Sequence, residues 1–286
     1  MERIREAVQR ARQQRGPDAP VGITTGARRV FSPVDVDVHG PGEIVYSTTR
    51  SIPVPMRDQR ANRIVSGFEP CAFTEAYKIL STQVAQKLRE HRWNTLAVTS
   101  PREGEGKSLT AANLAISLAM EFNQTALLVD TDLRQPSLRR LFGWNPGPGL
   151  SDYLIQGTPI EDLLINPGIR GFVVLPGGTP QSNTSEMLGW LKMLHLVEEL
   201  KARYPSRIVV FDLPPLLTTA DVLAFAPHVE AMLLVVEEGV TKREDVARSA
   251  ELLAATHLIG TVLNKAQNGA MARAGYGVQQ RVPRSH

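Results

Sequence analysis

From Glu69 onward the apolar residues of this chain fall into short unbroken runs: TLAVTS (95–100), TALLVD (125–130), GFVVLP (171–176), RIVVFDLP (207–214), AMLLVVEEG (231–239) and LIGTVLN (258–264). Runs of Val and Leu without polar alternation predict strands buried on both faces, and hence a parallel sheet. The stretches between them repeat at helical spacing. FTEAYKILSTQVAQKL predicts an amphipathic helix with Ala76, Ile79, Leu80, Val84 and Leu88 on one face. KSLTAANLAISLAMEF, SEMLGWLKMLHLVEELKARY and REDVARSAELLAAT predict further helices. Strand alternating with helix is the doubly wound α/β arrangement, a mainly parallel sheet with helices on both faces. Ligands bind such sheets outside the carboxyl ends of the strands, so the chemistry is expected just after each run.

The ends of the chain read differently. Residues 2–15 predict a short charged helix with a thin stripe of Ile4, Ala7, Val8 and Ala11. From Gly16 to Gly67 prolines recur and no long periodic segment appears, which predicts an irregular linker that wraps or dangles. The expected organisation is therefore a basic, partly disordered N-terminal segment (1–67), one α/β domain (68–268) and a flexible basic tail (269–286).

Composition narrows the class. Of 286 residues 42% are apolar, enough for a sizeable core, yet no run approaches the roughly 20 residues of a membrane-spanning helix. The Arg-rich start has no apolar centre, so it is not a secretory signal. The single Cys71 excludes an internal disulfide framework and suits the cytosol. Net charge is only +3, but Arg3, Arg5, Arg10, Arg12 and Arg15 cluster at one end and Arg273, Arg281 and Arg284 at the other. These are solvated ends or contacts to an acidic surface such as anionic lipid. No aromatic residues interleave with them, which disfavours nucleic acid. The six histidines show no ligand spacing, and neither a G-x-S-x-G elbow nor the H-R-D and D-F-G pair of eukaryotic kinases is present.

The first strand runs into TSPREGEGKSLT, close to the phosphate-binding pattern G-x-x-x-x-G-K-[ST] except that Pro101 stands at the first glycine. Gly104 and Gly106 free the backbone to turn successive N–H groups inward, and the helix beginning near Lys107 adds its positive end. Lys107 is expected on the β- and γ-phosphates and Ser108 on Mg²⁺, with Glu105 and Leu109 completing the cradle. The second strand ends in LLVDTDLR. Asp130 and Asp132 alternate, so both can face one site as Mg²⁺ ligands or proton acceptor, with Arg134 beside the nucleotide. Asp212 ends IVVFDLPP in the position of a Mg²⁺-ordering carboxylate. Asn264, after the last strand, is either a reader of a base edge or a turn or cap residue.

Together these stretches resemble the bacterial tyrosine autokinases of capsule and exopolysaccharide production, P-loop proteins related to the Min/Par partition ATPases. Leu127, Leu128, Val129, Asp130, Asp132 and Arg134 match the family's D-x-D-x-R motif, and Val209 to Pro215 its third motif. SPREGEGKS is similar to a loop that in the family also lacks the first glycine. GLSDYL, NTSEML and GTVLNK are further echoes, and ARYPSRIVVFDLPPLLTT looks like the subgroup tied to exosortase loci. The resemblance covers about residues 69–268. It implies a Mg²⁺-ATP-dependent protein-tyrosine kinase with ATPase activity, in which Lys107, Asp130 and Asp132 are catalytic and Ser108, Asp130 and Asp212 hold the metal. It also implies a membrane-embedded chain-length regulator as a separate partner, a homo-oligomer, and a cytoplasmic place at the inner face of the membrane. Two features depart from the family. Its helix motif E-x-x-R-x-x-R reads Glu75, Lys78 and Ser81 here, which removes planar bidentate donors. Its tail cluster of tyrosines is reduced to Tyr276. These departures keep a second reading open, an ATP-binding switch that no longer phosphorylates. A partition-type ATPase is the third, and that class carries a lysine aligned with Arg102.

Overall fold

The computed structural model describes residues 49–120, 124–203 and 206–266. The N-terminal helix expected over 2–15, most of the linker and the tail with Tyr276 lie outside them. Among the described residues eight strands form one sheet: β1 (Arg50–Ser51), β2 (Thr95–Thr99), β3 (Thr125–Asp130), β4 (Ile165–Asn166), β5 (Phe172–Leu175), β6 (Arg207–Asp212), β7 (Ala231–Glu237) and β8 (Leu258–Asn264). Their order is β1-β4-β5-β3-β6-β2-β7-β8. Every neighbouring pair is parallel except β4 with β5. The six expected strands are all present, and β1 and β4 are additions of two residues each, too short to leave a pattern in the sequence.

The helices are α1 (Met56–Ala61), α2 (Ala72–His91), α3 (Lys107–Met120), α4 (Leu138–Leu141), α5 (Leu150–Gln156), α6 (Ile160–Leu163), α7 (Thr184–Leu188), α8 (Leu191–Arg203), α9 (Asp221–Phe225) and α10 (Arg243–Leu252). They cover the sheet on both faces. Leu96, Val98, Leu128 and Val210 pack with α2 and α3 on one side. Their chain neighbours Ala97, Leu127, Val209 and Phe211 pack with Leu196 and Val197 of α8 on the other. This is why the strands read as unbroken apolar runs. Phe211 is fully buried with its ring 5.0 Å from Phe225. Phe211→Ala is expected to cost about 3–5 kcal/mol in a denaturant titration, since the cavity left between sheet and helices collapses only in part.

Two sequence expectations are corrected. The buried face of α2 is Tyr77, Ser81, Val84, Ala85 and Leu88, whereas Ile79 is 48% exposed. The helix is turned so that Tyr77 meets Phe73 edge to face, and the Ser81 hydroxyl satisfies itself on the Lys78 carbonyl at 3.0 Å. The single helix read over 185–204 is two, α7 and α8, broken at Gly189 and Trp190. Thr184 and Ser185 bind Asp221 of α9 through their hydroxyls (2.6 and 2.5 Å), while α8 packs Met193, Leu196 and Val197 into the core. Gly189, a weak helix former, sits at the break between these two anchors.

Residues 49–67 are built into this same unit. β1 extends the sheet, and Val54, Ile64 and Val65 are buried. Asn113 of α3, itself fully buried, accepts from Val65 N at 2.9 Å and donates to the Arg63 carbonyl at 2.9 Å. Each polar group of that amide is thereby matched, as a buried side chain requires.

Candidate nucleotide site

β2, β6 and β3 lie side by side near the middle of the sheet, and each ends where chemistry is expected. Val98 is in register with Asp212, and Asp212 with Asp130. The loop after β2 therefore sits over two carboxylates that emerge from neighbouring strands. Lys107 at the head of α3 reaches down to them: its Nζ donates to Asp132 Oδ2 at 2.9 Å and stands 3.9 Å from Asp212 Oδ1. Nζ also lies 3.3 Å from the Ser108 hydroxyl. Burial works against the Lys107 charge, but Asp212, Asp132 and Asp130 outweigh it and hold the ammonium pKa above its ordinary value.

The three aspartates are not equivalent. Asp132 lines the open cavity and also accepts from Gln135 N at 3.0 Å. Asp130 is fully buried. Its Oδ2 accepts from Ser137 N and Leu138 N (2.9 and 3.0 Å), fastening the start of α4, while Oδ1 has no partner. Asp212 is fully buried with neither oxygen in a hydrogen bond of good geometry. Burial first, then the repulsion of Asp212, pushes Asp130 up to about 8. Burial pushes Asp212 up to about 6 against the pull of Lys107.

One cavity of about 540 Å³ collects Glu103, Gly104, Gly106, Lys107, Ser108, Leu109, Asp132, Arg134, Ser137, Arg140, Pro214, Pro215 and Thr219 on its wall. Arg134 donates to the Thr184 hydroxyl at 3.0 Å, which ties the second motif to α7. Gly106 holds φ +92°, a backbone conformation that favours glycine, and a Cβ there would also have to displace the Asn264 side-chain amide, 2.1 Å away. Pro101 takes part in ordinary backbone bonding, its carbonyl accepting from Leu217 N at 3.1 Å.

Two of the expected site residues brace the loop through their side chains. Asn264 donates to the Glu105 carbonyl at 2.9 Å and is not on the cavity wall. The Glu105 carboxylate is buried and accepts from Arg102 N at 2.8 Å. Both support the loop from behind. Sequence reasoning missed Arg140 and Thr219 on the cavity wall and Lys265, which donates to the Gly104 carbonyl at 2.8 Å. Lys265 was visible only as the residue after Asn264.

The donor set suits a hydrated Mg²⁺. It offers a hydroxyl, Ser108, and a buried carboxylate, Asp212, whose oxygens make no close hydrogen bond. Among the described residues no group of three or more His, Cys, Asp or Glu side chains forms a metal cage. Mg²⁺ needs none, because it keeps several waters and takes one or two carboxylates beside substrate phosphates.

The mainly parallel sheet, with helices on both faces and a glycine loop at the end of β2, has the fold of a P-loop domain. The MinD protein of Pyrococcus horikoshii, solved with Mg-ADP, shares the fold at TM-score 0.50 and 22% identity over 59% of this chain and 69% of its own. Within that class, the relatives of this chain are bacterial tyrosine-protein kinases of capsule and exopolysaccharide production. Tyrosine-protein kinase YwqD of Bacillus subtilis is 29% identical over 228 residues, 77% of this chain and 95% of its own. The succinoglycan biosynthesis transport protein ExoP of Rhizobium meliloti is 31% identical over 72% of this chain but only 27% of its own. Among solved structures, the chimerical protein CapA2B2 matches at TM-score 0.66 and 26% identity, covering 75% of this chain and 92% of its own. The kinase domain of the Escherichia coli tyrosine kinase ETK matches at 0.63 and 25%, covering 76% and 91%. No protein-family model matches the sequence.

Proposed function

We propose that this chain is a Mg²⁺-ATP-dependent protein-tyrosine kinase acting in exopolysaccharide or capsule production. One observation carries the reading: the Lys107 ammonium, at the head of α3, is held by Asp132 and Asp212 beneath a glycine loop that walls an open cavity. The backbone N–H groups from Gly104 to Leu109 would cradle phosphates, with Lys107 on the β- and γ-groups. Ser108 and Asp212 would hold Mg²⁺, with Asp130 behind them. The metal supplies charge neutralisation at the phosphate oxygens. Asp132, on the cavity wall, would accept the phenolic proton as the tyrosine oxygen bonds to the terminal phosphorus and the bond to ADP breaks. Arg134, braced by Thr184, would face the nucleotide.

The acceptor is Tyr276, which lies outside the described residues. Incubation with ATP and Mg²⁺ is expected to produce phosphotyrosine there, read by mass spectrometry. Its absence in the wild type, even beside a membrane partner, would count against the kinase reading. That partner is a chain-length regulator embedded in the membrane as a separate chain, which would hold this protein at the inner face of the cell membrane. Among the described residues no helix is long and apolar enough to cross a membrane itself.

A second reading, a switch that binds ATP without phosphorylating, has its own support. On α2, the exposed Lys78 and the buried Ser81 stand at the positions of the family's two arginines, and neither supplies a planar bidentate donor for contacts between subunits. Unchanged polymer output in Tyr276→Phe would favour the switch over the kinase.

A further inference from the structure

The start of the phosphate loop is held by the segment after β6, whose Leu216 N and Leu217 N donate to the Ser100 and Pro101 carbonyls (2.8 and 3.1 Å), but the side-chain tethers of the stretch from Arg102 to Gly106 come from the other side. Gly104 and Gly106 both have positive φ (82° and 92°), which gives the loop many alternative shapes when untethered. The tethers come from the β7–α10–β8 edge. Thr241, in the turn between β7 and α10, donates from its hydroxyl to Glu105 Oε1 at 2.5 Å and accepts from Glu237 N at 2.8 Å. Asp245, in the first turn of α10, takes both the Nε and Nη2 of Arg102 (2.7 and 2.9 Å) in a bidentate pair. Glu105 also receives Arg102 N, so the two contacts lock one short stretch of chain at adjacent points. Neither Thr241 nor Asp245 lines the cavity.

We propose that Thr241 and Asp245 are positioning residues for the phosphate loop, setting nucleotide affinity through Glu105 and Arg102 without touching the nucleotide. The proposal rests on the nucleotide reading of the cavity. A loop already shaped for its ligand does not have to be ordered at the moment of binding, so loss of a tether appears as lost affinity. Arg102 is 58% exposed, and removing Asp245 leaves its charge in water rather than buried. A purely structural Asp245 would thus leave affinity unmoved.

The test is Mg-ADP binding by calorimetry on the full chain, with the unfolding midpoint of the nucleotide-free protein measured alongside. Thr241→Val is expected to bind about tenfold more weakly, the size of one charge-assisted hydrogen bond, and Thr241→Ser to return within about twofold of wild type. Asp245→Ala is expected to bind about threefold to tenfold more weakly, with its midpoint shifted by no more than a few degrees. Wild-type affinity in both Thr241→Val and Asp245→Ala, with Lys107→Ala still inactive in binding, overturns the proposal and leaves the nucleotide site standing. Absence of Mg-ADP binding in the wild type overturns both.

Discussion

Lys107→Ala is expected to lower the kcat/KM for phosphotransfer by at least about 10³-fold and to remove measurable Mg-ATP binding. Few single changes would remove as much. Among the described residues, Lys107 is paired with both Asp132 and Asp212 and feels the charge of Asp130. Its side chain is only 12% exposed, so its charge acts where water screens little. Without it, the carboxylates of Asp132 and Asp212 lose their neighbouring positive charge where phosphate must enter. Lys107→Arg is expected to rescue poorly, because a planar fork cannot replace a point charge fitted between Asp132 and Asp212. Radiolabelled phosphate transfer and a Mg-ATP titration measure both effects. A Lys107→Ala protein within tenfold of wild type would remove the loop from the chemistry.

The second large effect is a pH dependence of stability with a defined sign. Asp130 rises to about 8 and Asp212 to about 6 in the folded chain, against an ordinary value near 3.8. Folded protein therefore retains protons that the unfolded chain has already released. Stability is fully present below about pH 4 for these groups and is lost as pH rises through 6 and then 8, by on the order of a few kcal/mol. Asp130→Asn keeps an oxygen to accept from Ser137 N and Leu138 N but carries no titrating charge. Its nucleotide-free form is expected to be more stable than wild type at pH 8, with a slope that flattens above pH 6, where only Asp212 had remained. Mg-ADP is expected to stabilise the wild type most at the alkaline end, because a bound cation offsets the ionised pair. Denaturant titrations from pH 5 to 8.5 decide the matter, and stability that climbs with pH across that window would show that these carboxylates are not buried together.

The carboxylates were legible before the fold because each follows a run that can only be a buried strand, and strand ends are where open α/β sheets place ligands. Their division of labour was not. Asp130 and Asp132 stand two residues apart and read as equals. Only the register of β3 against β6 buries Asp130 beside Asp212 while leaving Asp132 on the cavity wall. Asn264 shows the same limit, since its position after β8 was plain but its partner, the Glu105 carbonyl, lies 159 residues away.

By itself the sequence determined the central strands, the helices between them, and the loop, aspartate and arginine motifs. These are written in local periodicity and spacing, which respond directly to burial and backbone geometry. Tertiary structure alone decided the rest: that Arg50 and Ser51 join the sheet and Val54, Ile64 and Val65 pack into the core, that α2 turns Ser81 inward and Ile79 outward, that a glycine divides α7 from α8, and that Thr241 and Asp245 grip the phosphate loop. Each of those depends on which distant surface a segment meets. A hydroxyl or carboxylate looks alike in sequence whether it faces water or a hydrogen-bonding partner that packing brings within 3 Å.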